Sequence, residues 1–212
     1  MEEMNKIERI KYDDACVCIF KNDYSSDELL RFFDASEVYL ADLEQFTGEK
    51  RKKEFLGLRY ALKKCFDNQE YIVVYNEEGK PLLENNPTYH ISFSHAAHWN
   101  VAAYSHKKIG IDIEIPTERL RKVSKKFLSE KEQEDFPANT DLETLCLIWS
   151  CKEVMFKIIG NDAIDFAKQL RIYPFEKKSE GEIKALHLVT GKIYFLQYKI
   201  SPAFVIVLGI EK

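Results

Sequence analysis

The sequence predicts an α+β protein with mainly antiparallel strands, and two patterns carry that prediction. Strand-like runs are joined by tight turns, which suits hairpins and not the long crossovers of a doubly wound parallel sheet. Segments of three- and four-residue apolar spacing occur in both halves of the chain. With 212 residues, 45% of them hydrophobic and 31% charged, there is enough apolar material for a full core in one or two small domains. The elements divide into an N-terminal half, residues 1–105, and a C-terminal half, residues 106–212.

Cys16 to Phe20 is a short β-prone run followed by a polar turn from Lys21 to Asp27, which makes an opening strand. From Ser36 to Phe66 the apolar residues Val38, Leu43 and Phe46, then Phe55, Leu58, Leu62 and Phe66, recur at helical spacing. Thr47-Gly48 interrupts them, so two helices are expected. The second carries Arg51, Lys52, Lys53, Arg59, Lys63 and Lys64, which on spacing alone read as the solvated face of an amphipathic helix. Tyr71 to Tyr75 is strand-like, and Glu77 to Lys80 with Gly79 is a turn. His90 to Ser94 and Asn100 to Ser105 form two strands around a short bend that close the first half.

Ile109 to Ile115 alternates strictly and stops at Pro116, whose ring removes a ladder donor and restrains the residue before it. Helical spacing returns from Leu120 to Phe136 and from Leu142 to Ile159, with Gly160-Asn161 as the C-terminal stop. Ile183 to Val189, Ile193 to Tyr198 and Ala203 to Leu208 are the closing strands, turned at Thr190-Gly191 and Ser201-Pro202.

Lys and Arg total 31 against 35 Asp and Glu, a formal charge of -4, so no electrostatic surplus points to duplex nucleic acid. The longest apolar run, near Phe204 to Ile210, falls far short of the roughly 20 residues of a membrane-crossing helix. Charged residues between Met1 and Tyr12 interrupt any secretory signal, and a cytoplasmic location is expected. Cys16, Cys18, Cys65, Cys146 and Cys151 form no disulfide framework and no CxxC pair, so reduced thiols packed in cores are expected.

Three segments could do chemistry. In Gly110-Ile111-Asp112-Ile113-Glu114 a period of two sends Asp112 and Glu114 to one face and the isoleucines to the other. Two like charges side by side on a strand need solvent or a cation, and a hard ion such as Mg²⁺ takes oxygen ligands of this kind. An ordinary exposed acidic face is the competing reading. In Trp149 to Lys157, Glu153 and Lys157 are four apart on one helical face, which by itself suits a surface ion pair. Trp149, Val154 and Phe156 bury that helix, so its polar positions need partners: a cation for Glu153, a phosphate for Lys152 and Lys157. The third segment, Ile91 to Trp99, runs into a bend at Ser94-His95 whose side chains and backbone donors suit phosphate oxygens. A His90, His95 and His98 metal cluster is the alternative there, and a Ser94-His95 nucleophile is geometrically poor because adjacent strand residues point apart.

The order Gly79-Lys80-Pro81, Ile91 to His95, Gly110 to Glu114 and Trp149 to Lys157 resembles the 4'-phosphopantetheinyl transferase superfamily, in its longer, surfactin-synthetase-activating (Sfp-like) class. That resemblance implies two similar α+β halves related by a pseudo-two-fold in a monomer. It implies transfer of 4'-phosphopantetheine from coenzyme A, the substrate, to a serine of an apo acyl or peptidyl carrier protein. Asp112, Glu114 and Glu153 would ligate Mg²⁺, and Lys157, with Lys152, would contact phosphate. Lys80, Ser94 and His95 would grip the nucleotide end of coenzyme A, and Arg51 and Arg59 its phosphates. Glu132, in a segment similar to the family's FFSxxE stretch, would activate the hydroxyl, with Glu130 as its rival. Acidic carriers would meet a basic rim from Lys122, Lys125 and Lys126. The family's SHSGG-like bend is SHAAHW here, which leaves a catalytically weakened coenzyme A- or carrier-protein-binding module as the alternative. A metal-dependent hydrolase is a third reading, resting on the acidic strand and Glu153 alone.

Overall fold

The structure, a computed structural model, describes residues 7–12, 14–34, 37–84, 86–160 and 163–212. Met1 to Lys6 of the segment read for a signal, Ser36 at the start of the helical spacing and Asn161 of the C-terminal stop lie outside the described residues. The chain forms two compact units, Met1–Val74 with Pro81–His106 and Tyr75–Lys80 with Lys107–Lys212. The sequence suggested a single cut after Ser105. The tip of one hairpin instead groups with the second unit.

The first unit has a four-stranded sheet in the order β1-β2-β6-β5, built from β1 (Ile7–Lys11), β2 (Ala15–Lys21), β5 (His90–Ala96) and β6 (Trp99–Ser105). Every pairing in it is antiparallel. β1 was not expected, because Glu8, Arg9 and Lys11 mask its alternation; as an edge strand it needs only one neighbour. Three helices follow β2: α1 (Ser26–Leu30), α2 (Glu37–Glu44) and α3 (Glu49–Cys65). α1 replaces the end of the expected polar turn, and Ser25 and Glu28 cap it reciprocally. α3 lies on β2 and β6, where Leu56, Tyr60, Ala61 and Cys65 join Cys18, Phe20 and Ala102 in the core. A short hairpin of β3 (Val73–Tyr75) and β4 (Pro81–Leu83) turns through Asn76 to Lys80.

The second unit has a five-stranded antiparallel sheet in the order β7-β11-β10-β9-β8. Its strands are β7 (Ile109–Glu114), β8 (Leu170–Ile172), β9 (Glu180–His187), β10 (Lys192–Ile200) and β11 (Val205–Ile210). The helical spacing expected from Leu120 to Phe136 resolves into two helices, α4 (Glu118–Val123) and α5 (Glu130–Asp135), with a 3₁₀ turn over Ser124–Lys126 between them. Ser129 forms a capping box with Glu132 and so starts α5 afresh. α6 (Leu142–Ile159), capped by Asp141, matches the expected helix, and α7 (Phe166–Gln169) leads into β8. All five cysteines are free and buried, as their spacing suggested. No helix among the described residues is long and apolar enough to cross a membrane.

α6 crosses β7 and β11 over the cross-strand pair Gly110 and Gly209. A Cβ on Gly110 would lie 2.5 Å from the Val154 carbonyl oxygen, and one on Gly209 would lie 2.7 Å from Val154 Cγ1. The missing side chains therefore set how closely α6 approaches the sheet. Gly110→Ala is expected to cost about 1–3 kcal/mol of stability through overpacking against helix backbone. A denaturant midpoint equal to that of the unmodified protein would contradict this packing.

Candidate active site

Alternation on β7 places Gly110, Asp112 and Glu114 on the face that meets α6. Asp112 is only 5% exposed, which removes the reading of an ordinary solvated acidic face. Lys157, in the last turn of α6, donates from Nζ to the Ile111 carbonyl at 2.8 Å and to Asp112 Oδ1 at 3.0 Å. Its partner is thus a carboxylate on the strand, and not the surface pair with Glu153 that helical spacing suggested. Glu114 is half-buried, and its Oε1 accepts from the Ile115 amide at 2.9 Å.

The three carboxylates feel one another. Burial pushes Glu153 up to about 7, with Lys157 pulling it down and Asp112 and Glu114 pushing it further up. Burial also raises Glu114, opposed by the Ile115 amide and assisted by Asp112. Such a set of hard oxygen donors, crowded enough to penalise its own ionisation, fits a divalent cation of the Mg²⁺ type in chemistry. In geometry it is looser. Among the described residues, no three His, Cys, Asp or Glu side chains are drawn close enough together to hold a metal ion, and the ammonium of Lys157 supplies the positive charge at Asp112.

Two expected site residues are turned inward. The side chains of Lys152 and Glu132 are both 0% exposed and pair at 2.6 Å. Lys152 Nζ also donates to the carbonyls of Phe127, Phe166 and Leu170 at 2.6 to 2.9 Å. Glu132 Oε2 accepts from the Ser129 amide and Oε1 from the Ile172 amide. Neither oxygen of Glu132 is offered to an incoming hydroxyl, and Lys152 has no donor left for a phosphate. The pair ties α5 and β8 to α6, and both expected chemical roles are corrected to a structural one. Glu130, the rival, is exposed, as are Lys122, Lys125 and Lys126.

In the first unit, the strand expected to bend at Ser94-His95 continues to Ala96, because Ser94 pairs with Val101 and His95 with Asn100. The turn falls at Ala97-His98, with Ala97 at φ 50. The pleat then sends the Ser94 and His95 side chains to opposite faces of an edge strand, and the expected bend is absent at that point. His95 Nδ1 lies 3.7 Å from Glu54 Oε1, and Arg51 lies 3.4 Å from Glu54 Oε2. Glu54 was not anticipated, although it sits three residues after Arg51 on the same helical face. It lines a cavity of about 450 Å³ with Asn22, Lys50, Lys53, Ala97, His98 and Asn100. Arg59 is 3% exposed, its guanidinium stacked 3.3 Å from the centre of the Phe55 ring and bonded to the Phe55 carbonyl. Its expected phosphate contact is corrected to core packing. Lys80, in the second unit, is half-buried; burial and then Lys108 lower its pKa, while Glu211 and Glu78 raise it.

Residues 108–203 match the 4'-phosphopantetheinyl transferase superfamily. The 4'-phosphopantetheinyl transferase Sfp of Bacillus subtilis (strain 168) is 31% identical over 164 residues, which cover 74% of this chain and 69% of that protein. The chain belongs to the 4'-phosphopantetheinyl transferase superfamily. The 4'-phosphopantetheinyl transferase psf-1 of Bacillus pumilus is 32% identical over 117 residues, 53% of this chain and 48% of its own length. The 4'-phosphopantetheinyl transferase gsp of Aneurinibacillus migulanus is 31% identical over 96 residues, 44% of this chain and 40% of its own length. The superfamily match contains β7 and α6, and with them Asp112, Glu114, Glu132, Lys152, Glu153 and Lys157. Arg51, Arg59, Lys80, Ser94 and His95 precede it. The expected Sfp-like kinship within the transferase superfamily is therefore found.

Proposed function

We propose that this transferase moves the 4'-phosphopantetheinyl group of coenzyme A to a serine hydroxyl of an apo acyl or peptidyl carrier protein and releases adenosine 3',5'-bisphosphate. Kinship with Sfp, psf-1 and gsp supports the reaction class. One observation supports its location: Lys157 Nζ bonds Asp112 Oδ1 across 45 residues of sequence, joining the acidic strand to the Trp149–Lys157 helix.

Asp112, Glu114 and Glu153 are the residues that would hold Mg²⁺, which when bound supplies charge neutralisation for the diphosphate of the substrate. The protein's own part is to keep those carboxylates in a poorly hydrated pocket and to hold an ammonium beside them. Lys157 is anchored by the Ile111 carbonyl, so its positive charge is preorganised where oxygen charge grows as the phosphoanhydride bond breaks. The serine oxygen forms the new bond to phosphorus, and its proton must leave. With Glu132 sealed in its ion pair, exposed Glu130 or water takes that proton. A pseudo-two-fold between two similar α+β halves, a monomeric state and a cytoplasmic location belong to the same reading. Each unit by itself sets one long helix on an antiparallel sheet.

Two observations favour the catalytically weakened binding module as a second reading: the Ala97-His98 turn, and a Glu54 carboxylate between Arg51 and His95. Incubation with coenzyme A, Mg²⁺ and apo carrier proteins, followed by intact mass measurement of the carriers, separates the two. The transferase reading expects at least one carrier to gain a phosphopantetheinyl group only when Mg²⁺ is present. Tight coenzyme A binding with no mass gain on any carrier would favour the module.

A further inference from the structure

Three of the five cysteines meet in the first unit, and none belongs to the residues assigned to transfer. Cys16 and Cys18 lie two apart on β2 and so share the face covered by α3, which ends in Cys65. Cys65 Sγ is 3.4 Å from the Ala102 carbonyl oxygen and 3.8 Å from that of Cys16, which brings the end of α3 onto the Cys16 backbone. Above them Arg9, on the edge strand β1, donates from Nε to Cys16 Sγ at 3.2 Å and from a terminal nitrogen to the Cys65 carbonyl at 2.6 Å. A further terminal nitrogen of Arg9 bonds Asp67.

The cluster is unsymmetrical. The hydrogen bond from Cys65, opposed by burial and assisted by Arg9, pulls Cys16 down to about 6. Cys65 is driven up by burial and then by its bonds to Cys16 and Cys18. Cys16 is thus biased toward the thiolate and Cys65 toward the thiol, the division of roles found in reactive dithiols. Cys146 and Cys151 on α6 offer an internal contrast, since burial drives both thiols up and no guanidinium touches either in the described hydrogen bonds. Access comes from the hairpin end. Lys11 with Cys16 is the last pair of the β1–β2 ladder, β1 is a sheet edge, and the Arg9 side chain that covers Cys16 is 23% exposed. Both thiols are buried in the folded chain, Cys16 at 2% and Cys65 at 0% exposed, so closure requires this end to open locally.

We propose that Cys16 and Cys65 form a modification site that closes to a disulfide between β2 and the C-terminal end of α3. Closure forms one S–S bond from two thiols and releases two protons and two electrons. The electron acceptor is a small oxidant: a low-molecular-weight disulfide, which leaves as two thiols, or the diazene diamide, which leaves as its hydrazine. Cys16 attacks the oxidant, and Cys65 then displaces it from the Cys16 sulfur.

The test treats the folded full-length protein with diamide, blocks the remaining thiols in denaturant, counts them, and maps the unreduced peptides by fragmentation. The expected result is loss of two of the five thiols present in the sequence, a Cys16–Cys65 link, and full recovery of the count with dithiothreitol. Cys18→Ser should form the same link, whereas Cys65→Ser should lose no thiol pair within the chain. An unchanged thiol count, or a link through Cys18, Cys146 or Cys151, would overturn the proposal. The wild-type map and Cys18→Ser decide the matter even if Cys65→Ser fails to fold.

Discussion

Lys152→Met is expected to cost about 3–5 kcal/mol of folding stability, because it leaves the Glu132 carboxylate as an unpaired charge in the interior. Both side chains are 0% exposed, and the ammonium is the shared donor for Glu132 and three carbonyl oxygens. Burial pulls the pKa of Lys152 down and Glu132 pulls it back up, so the balance rests on the pair and not on either residue alone. Adding Glu132→Gln to Lys152→Met should recover part of the loss, since the stranded charge is then gone, although the amide oxygen can accept from only one of the Ser129 and Ile172 amides that the two carboxylate oxygens serve. Equilibrium urea unfolding of the two variants reads both effects. A Lys152→Met midpoint close to that of the unmodified protein would mean that the pair is not what fastens α5 and β8 to α6.

Glu153→Gln is expected to lower carrier modification by about 10²–10³-fold while leaving the fold at least as stable. The two halves of that expectation have one cause. Burial, opposed by Lys157 and assisted by Asp112 and Glu114, disfavours the Glu153 carboxylate on balance, so an isosteric amide relieves more penalty than the attraction to Lys157 it gives up. The same carboxylate is the α6 contribution to the proposed cation site, and an amide oxygen is a weaker ligand for a hard ion. Rate measurements on the carrier, paired with denaturation of the same samples, separate lost chemistry from lost structure. Wild-type turnover in this variant would remove Glu153 from the site.

The sequence made the local geometry of this site legible and left its long-range pairings hidden. The strict alternation of Ile109 to Ile115 and the helical spacing of Leu142 to Ile159 were strong enough to locate β7 and α6 almost to the residue. Lys157 was legible as a cation near the acidic strand only through resemblance, because nothing local says that a lysine on α6 reaches Asp112. The Lys152–Glu132 pair was missed for the same reason: 20 residues separate the partners, and only the tertiary fold brings them together. Other misses had local signals. Arg59 lies four residues after Phe55 and three before Leu62, on the apolar stripe of α3, so its burial was readable from the spacing that placed it among solvated bases. Ser129-x-x-Glu132 and Ser25-x-x-Glu28 are capping boxes, and reading them as helix starts would have broken the Leu120–Phe136 helix and found α1.

Carboxylates from β7 and α6 are proposed to hold one divalent ion jointly. Calorimetric titration of Mn²⁺, as a Mg²⁺ surrogate, into the protein saturated with coenzyme A tests it directly. A single saturable site is predicted, weakened at least about tenfold by each of Asp112→Asn, Glu114→Gln and Glu153→Gln. Equal affinity across the wild-type protein and all three variants would contradict it.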